Sequence, residues 1–298
     1  MIFTRDIGID LGTENTLICD RKGRIIISEP SVVAVDVKSR RVLATGEKAK
    51  AMIGRTPGSI VAVKPLNEGV IADFDMTADM LHDFIYRSSK RSFFTKTRVV
   101  ISVPSGVTEV ERRAVEDAVR AAGAQEVELI EEPMAAALGV GLPVFEARGS
   151  MIVDIGGGTC DVAVISLGGI AARKSIKVAG NALDEAIINY MKKTHNLLIG
   201  TITAEDIKLK IGSAMEYDGE AVMEVRGRNL TDGLPNAIEV TSAEIREVLS
   251  APVSEIISAI CETLEVTLPE LAADIIDKGI YITGGTSLLR GLPELITK

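Results

Sequence analysis

Apolar and polar positions along this chain fall into short runs and alternations separated by glycine-rich turns, a pattern that predicts strands interleaved with helices. The stretches "RDIGIDLG" and "TLICD", within residues 5–20 and divided by "GTEN", predict a strand, a tight turn and a returning strand. "IIIS", "SVVAVDV" and "RVLATG" continue the β pattern between residues 25 and 46. Met80, Leu81, Phe84 and Ile85 then stand at helical spacing in a helix near 76–90. A strand "RVVISVP" leads into "SGVTEVERRAVEDAVRAAGA". Here Ser105 is placed to cap a helix whose apolar side carries Val107, Val110, Ala114, Val115 and Ala118, and Gly123 ends it. Strand "VELI" and helix "PMAAALG" finish this half.

The second half opens as the first does. "MIVDIGGGTCDVAVISL" is again strand, glycine-rich turn and returning strand, with Asp154 standing 144 residues after Asp10, which suggests a duplicated domain. "NALDEAIINYMKKTHNL" and "TAEDIKLKIGSAM" read as helices, "EAVMEVRG" and "NAIEVT" as strands. "SAEIREVLSAPVSEIISAICETLEVT" reads as a long helix bent at Pro252. A strand "GIYITGG" and a short helix close the chain.

Composition narrows the chemistry. With 298 residues, 46% hydrophobic and 25% charged, the chain is large enough for two core-forming domains. A net charge of −9 argues against a nucleic-acid partner, which calls for a basic face. Cys19, Cys160 and Cys261 are odd in number and lack metal-ligand spacing, which points to a reducing compartment. "MIFTRDIGID" lacks the features of an export signal, and no apolar run approaches the about 18 residues of a spanning helix. His82 and His195 read as surface helix residues, too few for a histidine-centred mechanism.

Three glycines in "DIGGGTCD" weaken a packed strand, so their use lies elsewhere. A turn without side chains lets successive backbone N–H groups line one concavity that holds phosphate oxygens, and Thr159 adds a hydroxyl. "GTENT" at 12–16 and "GGGT" at 156–159 would grip a polyphosphate from both sides if the halves pack about a pseudo-twofold axis. Asp10 and Asp154, each preceding a turn, are placed to hold a hydrated Mg²⁺. A single glycine-rich hairpin is equally well a structural turn, whereas two in register with a duplication carry more weight. In "ITGGTSLLRGL", 282–292, two glycines at a strand-to-helix handover let a flat group such as adenine approach the backbone.

"DLGTENT", "LIEEPMAAALG", "DIGGGTCDVAVISLGGI", "AGNALDEAI", "TAEDIKLKIGSA" and "GIYITGGTSLLRGL" occur in the order found in the actin, sugar-kinase and 70-kDa heat-shock ATPase superfamily. Within it the whole chain resembles the MreB family, the bacterial actin homologues that determine rod shape. The resemblance implies an α/β, actin-like ATPase fold: two related domains, each with a mixed five-stranded sheet and a small inserted subdomain, and ATP with Mg²⁺ in the cleft between them. The domains would be 1–143, with an insert near 32–64, and 144–298, with an insert near 181–243. The chain would reach Lys298 before the last strand and helices with which relatives return to the first domain.

Carried over by position, the first phosphate loop is Asp10, Gly12, Thr13 and Asn15, and the second is Asp154, Gly156, Gly157, Gly158 and Thr159. Glu132 matches the catalytic acid that orients the attacking water, with Thr159 as its partner. Glu131 reads as a helix-end acid that favours the dipole. Glu205 and Lys208 match helix residues that contact the nucleoside, or else form a solvated charged face. Gly284, Gly285 and Thr286 stand where the family has three glycines, and Glu14 stands where a small residue is commoner. A carboxylate there repels phosphate unless it points outward.

"KRSFFTKTR", 90–98, sets Phe93 and Phe94 beside Lys90, Arg91, Lys96 and Arg98, a composition that suits an anionic membrane surface; the alternative is a hairpin whose rings enter the core. The resemblance implies a cytoplasmic cytoskeletal ATPase, peripheral at the inner face of the cell membrane. Its partners would be further copies of itself in filaments, the membrane surface and the membrane proteins of cell-wall synthesis. A chaperone-type ATPase module, acting with a separate peptide-binding chain, is the alternative, and a sugar or acetate kinase is a third reading with little room for a substrate pocket.

Overall fold

The computed structural model describes residues 3–88 and 95–298. Two compact units divide the chain, Met1–Leu142 and Pro143–Lys298. Phe93 and Phe94, the expected membrane wedge, lie outside the described residues.

In the first unit the strands β1 (Phe3–Leu11), β2 (Asn15–Asp20) and β3 (Ile25–Pro30) form an antiparallel meander. A smaller sheet follows from β4 (Val33–Asp36), β5 (Val42–Thr45) and, after helix α1 (Gly46–Lys50), β6 (Ile60–Val63), in the order β5-β4-β6. A ribbon of β7 (Leu66–Asn67) and β8 (Val70–Ile71) precedes α2 (Phe74–Arg87). Then come β9 (Thr95–Val103), α3 (Glu109–Ala121), β10 (Glu126–Glu131) and α4 (Glu132–Gly139). The main sheet has the order β10-β9-β1-β2-β3, with β9 parallel to both neighbours. Ile7, Ile9 and Leu11 alternate inward from β1 and meet Met80, Leu81 and Phe84 of α2 and Val115 and Val119 of α3 in one core.

The start of α3 differs from the sequence expectation. Thr108, not Ser105, caps it: the Thr108 hydroxyl accepts the Glu111 N–H at 3.3 Å, and the Glu111 carboxylate accepts the Thr108 N–H at 2.7 Å. This reciprocal box satisfies two end donors where a lone serine satisfies one. Ser105 instead donates to Glu131 at 2.8 Å. Val110 lies about 140° around the axis from the buried Val115 and is 79% exposed rather than on the apolar side. Val119 takes its place in the core.

The second unit repeats the plan with β11 (Ser150–Ile155), β12 (Cys160–Ser166) and β13 (Gly169–Ile176) as the meander. After α5 (Gly180–Thr194), a small sheet of β14 (Leu197–Leu198), β15 (Val222–Asn229) and β16 (Pro235–Thr241) is interrupted by α6 (Thr201–Ile211). Then follow α7 (Ser242–Glu265), α8 (Pro269–Lys278), β17 (Ile280–Thr283), a 3-10 turn Gly285–Leu288 and α9 (Leu292–Thr297). Helix α7 continues as one element with Pro252 inside it. The sheet order is β13-β12-β11-β17, with β17 parallel to β11, so it reproduces four of the first sheet's strands. The expected fifth strand is absent among the described residues, because β17 is followed by the 3-10 turn and α9 rather than by a helix and a further strand. Strands β11 and β12 are buried almost throughout, as befits central strands covered on both faces.

Candidate functional site

The two glycine-rich turns sit at the same place in their hairpins. Each meander's first hairpin is closed by a register pair, Leu11 with Thr16 and Ile155 with Cys160, with residues 12–15 and 156–159 between the paired positions. Asp10 and Asp154 occupy the last strand position before each closing pair.

In the second unit the Gly156 N–H donates to the Thr159 carbonyl at 2.9 Å and shapes the turn. Its carbonyls face the start of α5: the Gly180 N–H reaches Gly156 O at 3.2 Å and the Asn181 N–H reaches Gly157 O at 2.8 Å. Helix α5 has no side-chain cap, so these carbonyls satisfy its first donors. The Thr286 hydroxyl, from the 3-10 turn, donates to the same Gly156 carbonyl at 2.7 Å. Among the described residues the N–H groups of Gly157 and Gly158 have no protein acceptor, which is the condition for a nest that receives an anion. A side chain on Gly180 would place its Cβ 2.7 Å from the Thr286 hydroxyl, so the close approach needs glycine.

In the first unit Ser31 plays the part of Thr286. Its hydroxyl donates to the Gly12 carbonyl at 2.6 Å and lies 2.8 Å from the Thr16 hydroxyl. Thr13 is buried, and its hydroxyl accepts the Gly69 N–H at 2.9 Å. Glu14 forms an ion pair with Lys64, which neutralises the charge that would repel phosphate. Asn15 is exposed.

The Asp10 carboxylate accepts from Ser102 at 3.1 Å and has no cationic partner among the described residues. Its surface is open to solvent, yet the protein around its remaining sides desolvates the carboxyl and raises its pKa above the usual range, against the lowering effect of Ser102. Such a carboxylate fits a hydrated cation. No group of three His, Cys, Asp or Glu side chains is arranged to hold a metal among the described residues, so a cation here would keep most of its ligands as water. Burial, followed by the charges of Asp161 and Asp154, pushes the Cys160 thiol up to about 12. Glu132 opens α4, half-buried, while Glu131 is the residue before it and receives the Ser105 bond.

Of the nucleoside elements, Gly284 has φ 83° and ψ 158°, a region essentially restricted to glycine, and packs against Ile155 and Asp154 at the end of β11. Gly285 begins the 3-10 turn. Lys208 is neither a solvated charge nor a free ligand. Its ammonium donates to the Gly180 carbonyl at 2.9 Å and pairs with Asp184 at 2.8 Å, both side chains only 14% exposed. Glu205 lies half-buried one turn before it on α6. The structure thus brings Asp154, the 156–159 turn, Lys208, Gly284 and Thr286 together in the second unit, and Asp10, Gly12, Thr13 and Asn15 in the first. Sequence reading missed Ser31, Lys64, Ser102 and Asp184. Each acts across 19 to 92 positions or from a different helix, and no local spacing marks it.

The family profile described as MreB/Mbl protein matches residues 4–298. The cell shape-determining protein Mbl of Bacillus subtilis is 48% identical over 297 residues, covering 100% of this chain and 89% of the relative. The cell shape-determining protein MreB of Escherichia coli K12 is 50% identical over 300 residues, covering 99% and 86%. The crystal structure of MreB 5 of Spiroplasma citri bound to AMPPNP superposes with a TM-score of 0.92 at 40% identity, over 98% of this chain and 88% of that one. Duplicated meanders, paired turns and these full-length likenesses agree, and the chain belongs to the MreB/Mbl family with its actin-like fold.

Proposed function

We propose that this protein is a cell shape-determining actin homologue that binds and hydrolyses ATP with Mg²⁺ and polymerises into filaments at the inner face of the cell membrane. There it organises the membrane proteins of cell-wall synthesis. The observation that carries the reading is the pair of matched turns, each preceded by a strand-end aspartate and each holding its first glycine carbonyl by a hydroxyl from elsewhere in its own unit. Family membership weighs against the chaperone-type and sugar-kinase readings.

In this reading Gly12, Thr13 and Asn15, with Gly156, Gly157, Gly158 and Thr159, hold phosphate oxygens through backbone and hydroxyl donors. Asp10 and Asp154 hold the hydrated Mg²⁺ through its waters, and the ion supplies charge neutralisation at the phosphates when bound. Glu132 orients the attacking water with Thr159, since phosphoryl transfer to water needs chiefly positioning and charge stabilisation. Gly284 and Gly285 admit the nucleoside beside Glu205, and Lys208 supports that wall through Asp184 and Gly180. Head-to-tail contact between copies is heterologous and does not close, so it yields filaments. Among the described residues no helix is long and apolar enough to cross a membrane. Attachment is assigned to Phe93 and Phe94 on the strength of the apolar pair and its flanking cations in "KRSFFTKTR".

The test is high-speed sedimentation and electron microscopy of the purified protein with Mg²⁺ and ATP, beside a nucleotide-free sample. Filaments that require nucleotide are expected, and Glu132→Ala should assemble while releasing phosphate slowly. A protein that neither binds ATP nor pellets contradicts the assignment. For the membrane contact, Phe93→Ser with Phe94→Ser should abolish liposome co-sedimentation and leave ATP binding intact.

A further inference from the structure

A peptide group is planar, so fixing the direction of one carbonyl fixes the N–H of the following residue in the opposite sense. This matters in a glycine-rich phosphate turn. Glycine flips readily, and a flipped peptide presents a carbonyl oxygen, the wrong sign of charge, to an anion. Gly12 and Gly156 are the first residues of the two turns. The Gly12 carbonyl accepts from Ser31, which is fully buried, at 2.6 Å, and the Gly156 carbonyl accepts from Thr286, 9% exposed, at 2.7 Å. Two hydroxyls with no sequence relation, one 19 residues after its carbonyl and one 130, perform the same act at duplicated positions.

We infer that Ser31 and Thr286 are positioning residues that latch the first peptide of each phosphate turn, so that the N–H groups of Thr13 and Gly157 are held toward the phosphates. The inference rests on reading the turns as phosphate-binding. In the second unit the latch has a further consequence: Thr286 lies in the loop assigned to the nucleoside, so one hydrogen bond ties the nucleoside loop to the phosphate turn. Gly156 O also holds the Gly180 N–H, and Lys208 holds Gly180 O, so the latch joins a chain of contacts from the 3-10 turn to α5 and α6.

The experiment compares Thr286→Val, Thr286→Ser and Ser31→Ala with the parent. Thr267→Val serves as a control that removes a buried threonine hydroxyl bonded to Thr263 O, two residues past the end of α7. Two readouts are used: amide hydrogen exchange at Gly180 and Asn181 without nucleotide, and titration with a fluorescent ATP analogue and Mg²⁺. Thr286→Val should speed exchange at both amides and weaken analogue binding by about threefold to tenfold, the range expected for one neutral hydrogen bond. Thr286→Ser should restore both, Ser31→Ala should weaken binding without touching these amides, and Thr267→Val should change neither. Unchanged exchange in Thr286→Val, or a serine variant as impaired as the valine one, overturns the latch. Failure of the parent to bind the analogue overturns the nucleotide reading instead, and the exchange comparison still decides the latch.

Discussion

Gly284→Ala tests whether the backbone at the end of β17 is set by glycine alone. At φ 83° and ψ 158° any side chain costs about 1–3 kcal/mol in backbone strain. The new Cβ would also lie 2.5 Å from the Ile155 carbonyl carbon, closer still to its oxygen, and 2.6 Å from Asp154 Oδ1. Asp154 can rotate away, but Ile155 is fully buried and its residue pairs with Cys160, so its carbonyl cannot retreat without opening the turn. Strain and contact together should cost about 3 kcal/mol or more, in the upper range for a single substitution. Gly285→Ala, one residue later, meets nothing within 4 Å and should stay within about 0.5 kcal/mol of the parent. Urea unfolding without nucleotide, followed by far-ultraviolet circular dichroism, measures both. A loss below about 1 kcal/mol for Gly284→Ala, or an equal loss in the two variants, refutes the argument.

Lys208→Met removes a largely buried cation from Asp184 and should cost about 2–3 kcal/mol, somewhat below a fully buried pair, with Asp184→Asn in the same chain recovering part of it; additive losses in urea unfolding would show that the two groups are not coupled. A maleimide at pH 8 should label the exposed Cys261 and spare Cys160, whose thiol at about 12 leaves on the order of one part in ten thousand as thiolate; equal labelling rates in the folded protein would contradict this. Bonds from the Thr241 N–H and hydroxyl, chiefly, hold the Glu244 carboxyl below the usual glutamate range. A carboxyl depressed in the folded state stabilises it above the unfolded pKa and loses that contribution as pH falls through the folded one. Glu244→Gln should therefore be less stable than the parent at neutral pH, with the gap closing in acid. A gap that does not change between neutral pH and the acid side of the glutamate range counts against the cap.

Much of the fold was legible because its signals are local. The alternation in "RDIGIDLG", the run in "MIVDI" and the shared turn offset of 144 residues are properties of a few adjacent positions, and the hairpins they predict are present with matching closing pairs. The cap of α3 was misplaced by three residues because Ser105 and Thr108 are both competent alone, and only Glu111 three positions after Thr108 decides between them. Val110 was grouped with Ala114 and Ala118, which lie within about 80° of it, but the core took the side of Val115 and Val119, about 140° and 180° around the axis from Val110.

The carbonyl side of each turn was not legible. Ser31 carries no motif, and Thr286, though part of the "ITGGTSLLRGL" motif, gave no sign of its bond to Gly156; Lys64 and Asp184 likewise act through contacts made only when the chain has folded. By itself the sequence determined where strands, turns and helices form and which aspartates and glycines share a turn, because hydrophobic period and glycine conformation act within a few residues. Only tertiary structure decided that Glu14 is neutralised, that Lys208 is a strut and that each turn's first carbonyl is held by a distant hydroxyl. A hydrogen bond across 130 residues leaves no local period to read, since its geometry exists only once the core has brought β11 and the 3-10 turn together.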